Sequence, residues 1–357
     1  MFYRRAGIRH TRYQDERQLF PLAFDRGLIL TVLALLLVAP FTIDRLYLSG
    51  YLLPWLLWTS AALGLNLLMG WAGQIHLGYG AVMGIGAYAS VHLVRLGLPL
   101  EFAIIVGGLL SATIGTAFGG AALRMKGIYL AMATLAMQYV VDFVISHSSV
   151  ISGGSLATLQ VPPVRFLGIP MQGDVPTYYL ALGLCFLVTL FMLNVQRTSF
   201  GRALAALREK DYAAQILGIS TFRYKLLAFW VSSFIGGAVG SVLAVTYLRA
   251  ISPDQFHIEL SIQILAMIIV GGLGSILGPF FGAALILFAP ILLNNSLGAA
   301  AGTFGLDIPI ALRAHLPLVA YGMLVIGFLL YEPLGLAKIY ANFRNYLLVW
   351  PFRHAQR

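Results

Sequence analysis

From Leu46 to Val94 the chain carries no Asp, Glu, Lys or Arg, and from Leu260 to Leu306 it again carries none. Each stretch is about twice the ~20 residues that a helix needs to cross the hydrocarbon of a bilayer. A water-soluble chain of 357 residues needs a polar shell, and ordinary globular domains are about one-quarter charged. Here charged residues make up 10% and hydrophobic residues 59%. The apolar runs are continuous rather than alternating. That selects helices over a β-barrel, the other architecture that satisfies every backbone group in lipid. The expected fold class is an all-α, polytopic membrane protein.

Ten apolar segments are legible, at about 27–43, 50–70, 75–94, 102–123, 127–147, 177–195, 226–248, 261–276, 279–297 and 316–331. Several are short, and those near Gly73 and Gly274 suit broken or re-entrant helices. The first 26 residues are polar and Arg-rich. The run after them has no small-residue cleavage site, so it reads as a retained span rather than a signal peptide. The layout is a tail over 1–26, a membrane domain over 27–331 with a long polar loop at 196–225, and a basic tail over 332–357.

The net charge of +10 is distributed by topology. One set of Lys and Arg comprises Arg4, Arg5, Arg9, Arg12, Arg17, Arg26, Arg124, Lys126, Arg197, Arg202, Arg208, Lys210, Arg223, Lys225, Lys338, Arg344, Arg353 and Arg357. The other set is Arg45, Arg95, Arg165, Arg249 and Arg313. Under the positive-inside rule this asymmetry puts both termini and the 196–225 loop in the cytoplasm. It gives no reason to invoke nucleic acid. Cys185, the lone cysteine, lies in an apolar run and reads as packing.

Four stretches stand out. Gly70 to Ser90, GWAGQIHLGYGAVMGIGAYAS, holds six glycines at 70, 73, 78, 80, 84 and 86 with Gln74, His76 and Tyr79 among them. Glycine at this density fits two readings: helices packed closely, or an unwound element lining the pathway, with Gln74 and His76 available to a polar solute. GGLGSILGPFFGAA, Gly271 to Ala284, repeats the pattern around Gly274. An offset of 201 residues lays Gly70–Ile75 over Gly271–Ile276 and the first four segments over the last four. Duplicated halves and chance similarity in Gly-rich sequence both fit.

In KGIYLAMATLAMQYVVD, Thr134, Gln138 and Asp142 recur every four residues and share one helical face. An acid inside a span marks a functional candidate, although Asp142 lies toward the end of its segment, within reach of water. The loop Thr198 to Phe229 reads as a helix capped by Ser199 and stopped at Gly218. Leu204, Leu207, Ala214 and Leu217 line one side, and Arg208, Glu209, Lys210 and Asp211 make it charged. Such a helix suits docking of a soluble partner better than a mere solvated connector.

There is no GxxxxGK[ST] loop, HExxH or Cys pair, so nucleotide and metal chemistry find no support and no cofactor is expected. The chain reads as a transport subunit rather than an enzyme.

These stretches, in this order, resemble the membrane permeases of ATP-binding-cassette importers for branched-chain amino acids, and the longer of the two paired permease types in particular. The resemblance rests on GWAGQIHLGYGAVMGIGAYAS, RMKGIYLAMATLA, SFGRALAALREKDYAAQILGI with RYKLLAF, MIIVGGLGSILGPFFGAA and the C-terminal EPLGLA with LLVWPF, over roughly residues 45–355. It implies a multi-pass protein of the bacterial inner membrane. Its partners would be two ATPase subunits, a second related permease and a periplasmic substrate-binding protein, and its substrate a branched-chain amino acid or similar small polar solute. The family's EAA-x3-G docking motif corresponds to Tyr212-Ala213-Ala214-Gln215-Ile216-Leu217-Gly218, with Tyr for Glu. The implied docking residues are Gly201, Arg202, Arg208, Glu209, Asp211, Ala213, Ala214 and Gly218. The implied pathway residues are Gln74, His76, Tyr79, Thr134, Gln138 and Gly274. His76 and Tyr79 depart from the family, which usually has Ser and His there. A self-contained secondary transporter or channel is the alternative, and it would place coupling on Asp142.

Overall fold

In the computed structural model the described residues are 23–123, 127–154, 157–304 and 334–349, with isolated positions between 319 and 330. The N-terminal arginines from Arg4 to Arg17, Arg124 and Lys126, Arg313, most of the tenth apolar segment and the end of the C-terminal tail lie outside them.

The helices, in chain order, are α1 (Ala23–Thr42), α2 (Arg45–Trp71), α3 (Tyr79–Arg95), α4 (Leu100–Ala122), α5 (Ile128–His147), α6 (Asp174–Arg197), α7 (Ser199–Glu209), α8 (Asp211–Ile216), α9 (Thr221–Leu248), α10 (Ile258–Gly271), α11 (Gly278–Phe304) and α12 (Leu336–Val349). Each of the first nine apolar segments coincides with a helix. Among the described residues, six helical stretches are long and apolar enough to cross a membrane: α2, α4, α5, α6, α9 and Pro253–Gly271. α1 and α11 contribute shorter apolar stretches, Arg26–Thr42 and Gly278–Leu292. α2 and α9 both finish in a π-turn, at Leu67–Trp71 and Ala244–Leu248.

α9 lies at the centre against α3 and α4, while α2 packs on α6, α10 and α11. Lipid does not push apolar helices together, so small residues must let backbones approach. A Cβ placed on Gly86 of α3 would stand 2.1 Å from the Gly237 carbonyl oxygen of α9. On the same seam the Ser241 hydroxyl donates to the Gly86 carbonyl at 2.9 Å, and neighbouring contacts repeat the device: Ser111 of α4 donates to the Val82 carbonyl of α3 at 2.9 Å, and Ser232 of α9 to the Gly64 carbonyl of α2 at 2.8 Å. Each such bond contributes only about 0.6 kcal/mol in a membrane, so the seam depends chiefly on close packing. Outward faces of α4, α5 and α6 expose Phe102, Ile105, Phe143, Val144, Phe186 and Leu187, as a lipid-facing surface requires.

One end of the bundle gathers Arg95, Arg165 and Arg249. The 148–173 segment forms short strands there: β1 (Leu159–Gln160) pairs with β4 (Ala250–Ile251), and β2 (Arg165–Phe166) with β3 (Ile169–Pro170). Arg95 donates to the Gln160 carbonyl, and Arg249 sits 3.6 Å from Asp174. The other end carries α7 and α8. Arg95, Arg165 and Arg249 thus lie at the end opposite the cations of the 196–225 loop.

Candidate functional site

The glycine-rich stretches do interrupt the helices. The chain leaves helix at 72–78 and again at 272–277. Gly73, Gly272 and Gly274 take φ values of +65°, +117° and +83°, which side chains with a Cβ rarely adopt. Both interruptions lie at the α7–α8 end, and they meet directly. Asn66 Nδ2 donates to the Ser275 carbonyl at 2.8 Å, its Oδ1 accepts from the Gly274 N–H at 2.8 Å, and the Trp71 indole donates to the Gly274 carbonyl at 2.8 Å. The two look-alike stretches are thus in contact with each other. Asn66 and Trp71, not singled out in the sequence, are the side chains that join them.

The polar face of α5 fits the start of α3. Thr134 Oγ1 accepts from the Leu77 N–H at 3.0 Å, and Gln138 Oε1 from the Ala81 N–H at 2.8 Å. Ser261 of α10 accepts from the Gly80 N–H at 2.7 Å, and His76 Nδ1 from the Gly78 N–H at 3.0 Å. A helix start deep in an apolar bundle has donors without intrahelical partners. Side chains of two other helices supply the acceptors here. Gln138 Nε2 also donates to the Phe256 carbonyl at 2.8 Å, so both ends of its amide are used.

Thr134, Gln138 and Tyr79 are fully buried, and the Tyr79 hydroxyl donates to the Ser232 carbonyl at 3.2 Å. His76 is buried with its ring 5.4 Å from that of Phe229, and its Nε2 has no hydrogen-bond partner among the described residues. Gln74, also buried, bonds back to the Ala72 carbonyl. Gln138→Leu keeps the shape but strands the Ala81 N–H and the Phe256 carbonyl. It is expected to lower stability by at least ~2 kcal/mol, read as a drop in the melting temperature of the detergent-purified protein. An unchanged melting temperature with lost transport would instead make Gln138 a solute contact.

Asp142 does not simply reach water. Its Oδ2 lies 2.7 Å from His257 Nδ1, and His257 Nε2 lies 3.3 Å from Asp254. This partnership is not legible in the sequence, because 115 residues separate Asp142 from His257.

At the other end, the loop helix differs from the sequence expectation in three ways. It is two helices, α7 and α8, broken at Lys210 in extended backbone (φ −153°, ψ 101°). Its cap is Thr198, whose hydroxyl accepts from the Gly201 N–H at 3.3 Å, with Ser199 one position inside. Finally, Leu204, Leu207 and Ala214 are buried as expected, but Leu217 is 79% exposed because the break at Lys210 resets the helical phase.

Gly218, at φ +81°, stops α8 as expected. Its N–H bonds to the Gln215 carbonyl and that of Ile219 to the Ala214 carbonyl, the Schellman pattern. Gly201 sits against the end of α6, where a Cβ would come within 2.3 Å of the Val195 carbonyl oxygen. Asp211 is held at 2.6 Å by Lys225 of α9, and Arg202 donates to the Arg197 carbonyl at 2.9 Å. Glu209 and Ala213 are exposed. Arg208, although exposed, reaches the end of α2 and donates to the Gly70 carbonyl at 2.5 Å. Beside exposed Gln215, α8 presents three large apolar side chains outward: Tyr212 at 76%, Ile216 at 69% and Leu217 at 79% exposure. All three fall within the stretch that resembles the family's docking motif, but Leu217 was expected on the buried side and Tyr212 and Ile216 were not among the implied docking residues.

Residues 47–332 match the family described as the permease component of the branched-chain amino acid transport system. The chain is 30% identical over 293 residues to the high-affinity branched-chain amino acid transport system permease protein LivM of Salmonella typhimurium, covering 74% of this chain and 68% of that protein. It is 25% identical over 248 residues to a probable branched-chain amino acid transport permease of Methanocaldococcus jannaschii, with 70% of each chain covered. It is 27% identical over 234 residues to an autoinducer 2 import system permease of Salmonella paratyphi B, covering 61% of this chain and 67% of that one. No solved structure matches the chain.

Proposed function

Since the chain belongs to the family of branched-chain amino acid permeases, we propose that it forms the solute pathway of an ATP-driven importer, and that its substrate is a branched-chain amino acid or a similar small polar solute. The observation that carries this reading is the apolar tip of α8. Tyr212, Ile216 and Leu217 are exposed on a polar segment outside the apolar helices. Large apolar side chains clustered on a water-facing surface mark a protein interface. An ATPase subunit docks there, and a second one docks on a related permease paired with this chain. A substrate-binding protein approaches the opposite end, over the 148–173 segment. The α7–α8 end faces the cytoplasm of the bacterial inner membrane, and both termini lie on that side.

Transport proceeds by alternating access. ATP drives the switch only because the ATPases bind it differently in the two states, and their motion reaches the bundle through α7 and α8. The test is a pull-down of the tagged chain from its native membranes in mild detergent, followed by uptake with ATP maintained and an ionophore added. The expected result is recovery of an ATPase with a nucleotide-binding loop and a second multi-span permease, with uptake indifferent to the ionophore. The chain recovered alone, with uptake abolished by the ionophore, would point to a self-contained secondary transporter and to Asp142.

A further inference from the structure

We infer that Arg208 is the positioning residue that passes the movement of the docking helix to the helix reversals, and is not itself an ATPase contact. The inference rests on the importer reading above. α7 is anchored by its buried face, Gly201, Ala203, Leu204 and Leu207, and Arg208 sits in its last turn. The Arg208 side chain is exposed along much of its length, but its guanidinium reaches the end of α2. Its Nη1 donates to the Gly70 carbonyl at 2.5 Å. A Cβ built on Gly274 would lie 2.6 Å from that same nitrogen, and one built on Gly73 would lie 3.5 Å from the Arg208 Cγ. One side chain therefore lies across both interruptions.

Two physical points give the contact weight. Gly70 belongs to the π-turn that ends α2, and the last carbonyls of a helix lack intrahelical donors. The Gln74 N–H serves the Leu68 carbonyl and the Ala72 N–H serves that of Leu67. Gly70 is served by a cation, which is also the favoured sign of charge at a helix C-terminus. The second point is continuity. Gly70 adjoins Trp71, which is bonded to Gly274, and Asn66 holds the Gly274 N–H and the Ser275 carbonyl. A shift of α7 thus meets the end of α2 first and the reversal before α11 one bond later. Gly73 and Gly274, both at positive φ, are the places where the backbone can turn. Energetic coupling needs such a contiguous path joined to an element with two arrangements, and the paired reversals are that element.

The test uses the purified complex of this chain with its co-purifying ATPase and second permease, reconstituted in liposomes and supplied with the leucine-loaded substrate-binding protein of the same system, with labelled leucine as the probe. Arg208→Ala is expected to recover the ATPase in wild-type yield and to hydrolyse ATP, while the ATP spent per leucine taken up rises roughly tenfold, the size of a typical coupling between sites. Arg208→Lys keeps the charge but presents it as a point rather than a fork. It is expected to fall between the two, and it stands in for the alanine variant should that fail to accumulate. An unchanged ratio in both variants would overturn the inference. Loss of the ATPase from the variant complex would also overturn it, by making Arg208 a docking contact. A wild-type complex that lacks ATP-driven uptake would defeat the importer reading instead, before Arg208 is tested.

Discussion

Replacing Ile216 and Leu217 together by Asp is expected to strip the ATPase from the purified complex and to end ATP-driven uptake. Both side chains project from α8, and neither is buried in this chain. α8 itself is held by other groups: buried Ala214, the Asp211–Lys225 pair at 2.6 Å and the turn at Gly218. The substitution therefore changes the surface and spares its support. Truncating a residue central to an interface costs about 2 kcal/mol or more, and a buried carboxylate without a partner costs further. Two such changes weaken docking by roughly a thousandfold or more. Co-purification yield and ATPase activity check the result. Wild-type recovery of the ATPase with the double variant would mean that α8 is not the docking surface.

The second large effect concerns folding. Gly86→Val is expected to abolish accumulation of the protein in the membrane, because its Cβ would stand 2.1 Å from the Gly237 carbonyl oxygen and 2.5 Å from the Gly237 Cα. The obstacle is backbone of the central helix, which cannot rotate away, so the strain reaches or exceeds the ~3 kcal/mol typical of severe overpacking. Gly183→Val in α6 provides the contrast. Nothing lies within 4 Å of a Cβ there, and the position is exposed. Equal loss of both variants would show a general intolerance of valine in these helices rather than a tight seam between α3 and α9. The measurement is membrane abundance, with the melting temperature of whatever is recovered.

The helices themselves were legible because lipid leaves few alternatives: a long charge-free run must satisfy its own backbone. The common face of Thr134, Gln138 and Asp142 was legible for the same reason, through the helical period. Their partners were not. Gln138 meets Ser261 at a separation of 123 residues, Asp142 meets His257 at 115 and Arg208 meets Gly70 at 138. Such contacts depend on how the helices cross, and no local period encodes that. The apolar tip of α8 was missed for a different reason. Helical spacing carried from Leu204 to Leu217 assumes one continuous helix, and the extended Lys210 turned Leu217 from the expected buried face to the surface.

The way α3 begins bears on how the protein chooses what it carries. A free helix start in a membrane attracts a carboxylate, because its N–H groups offer ready ligands. Here the N–H groups of Leu77, Gly78, Gly80 and Ala81 are already occupied by Thr134, His76, Ser261 and Gln138. These four donors are therefore spent on holding α3 to its neighbours, and none of them is left to receive the carboxylate of a solute. Recognition of an acid group cannot fall to this helix start.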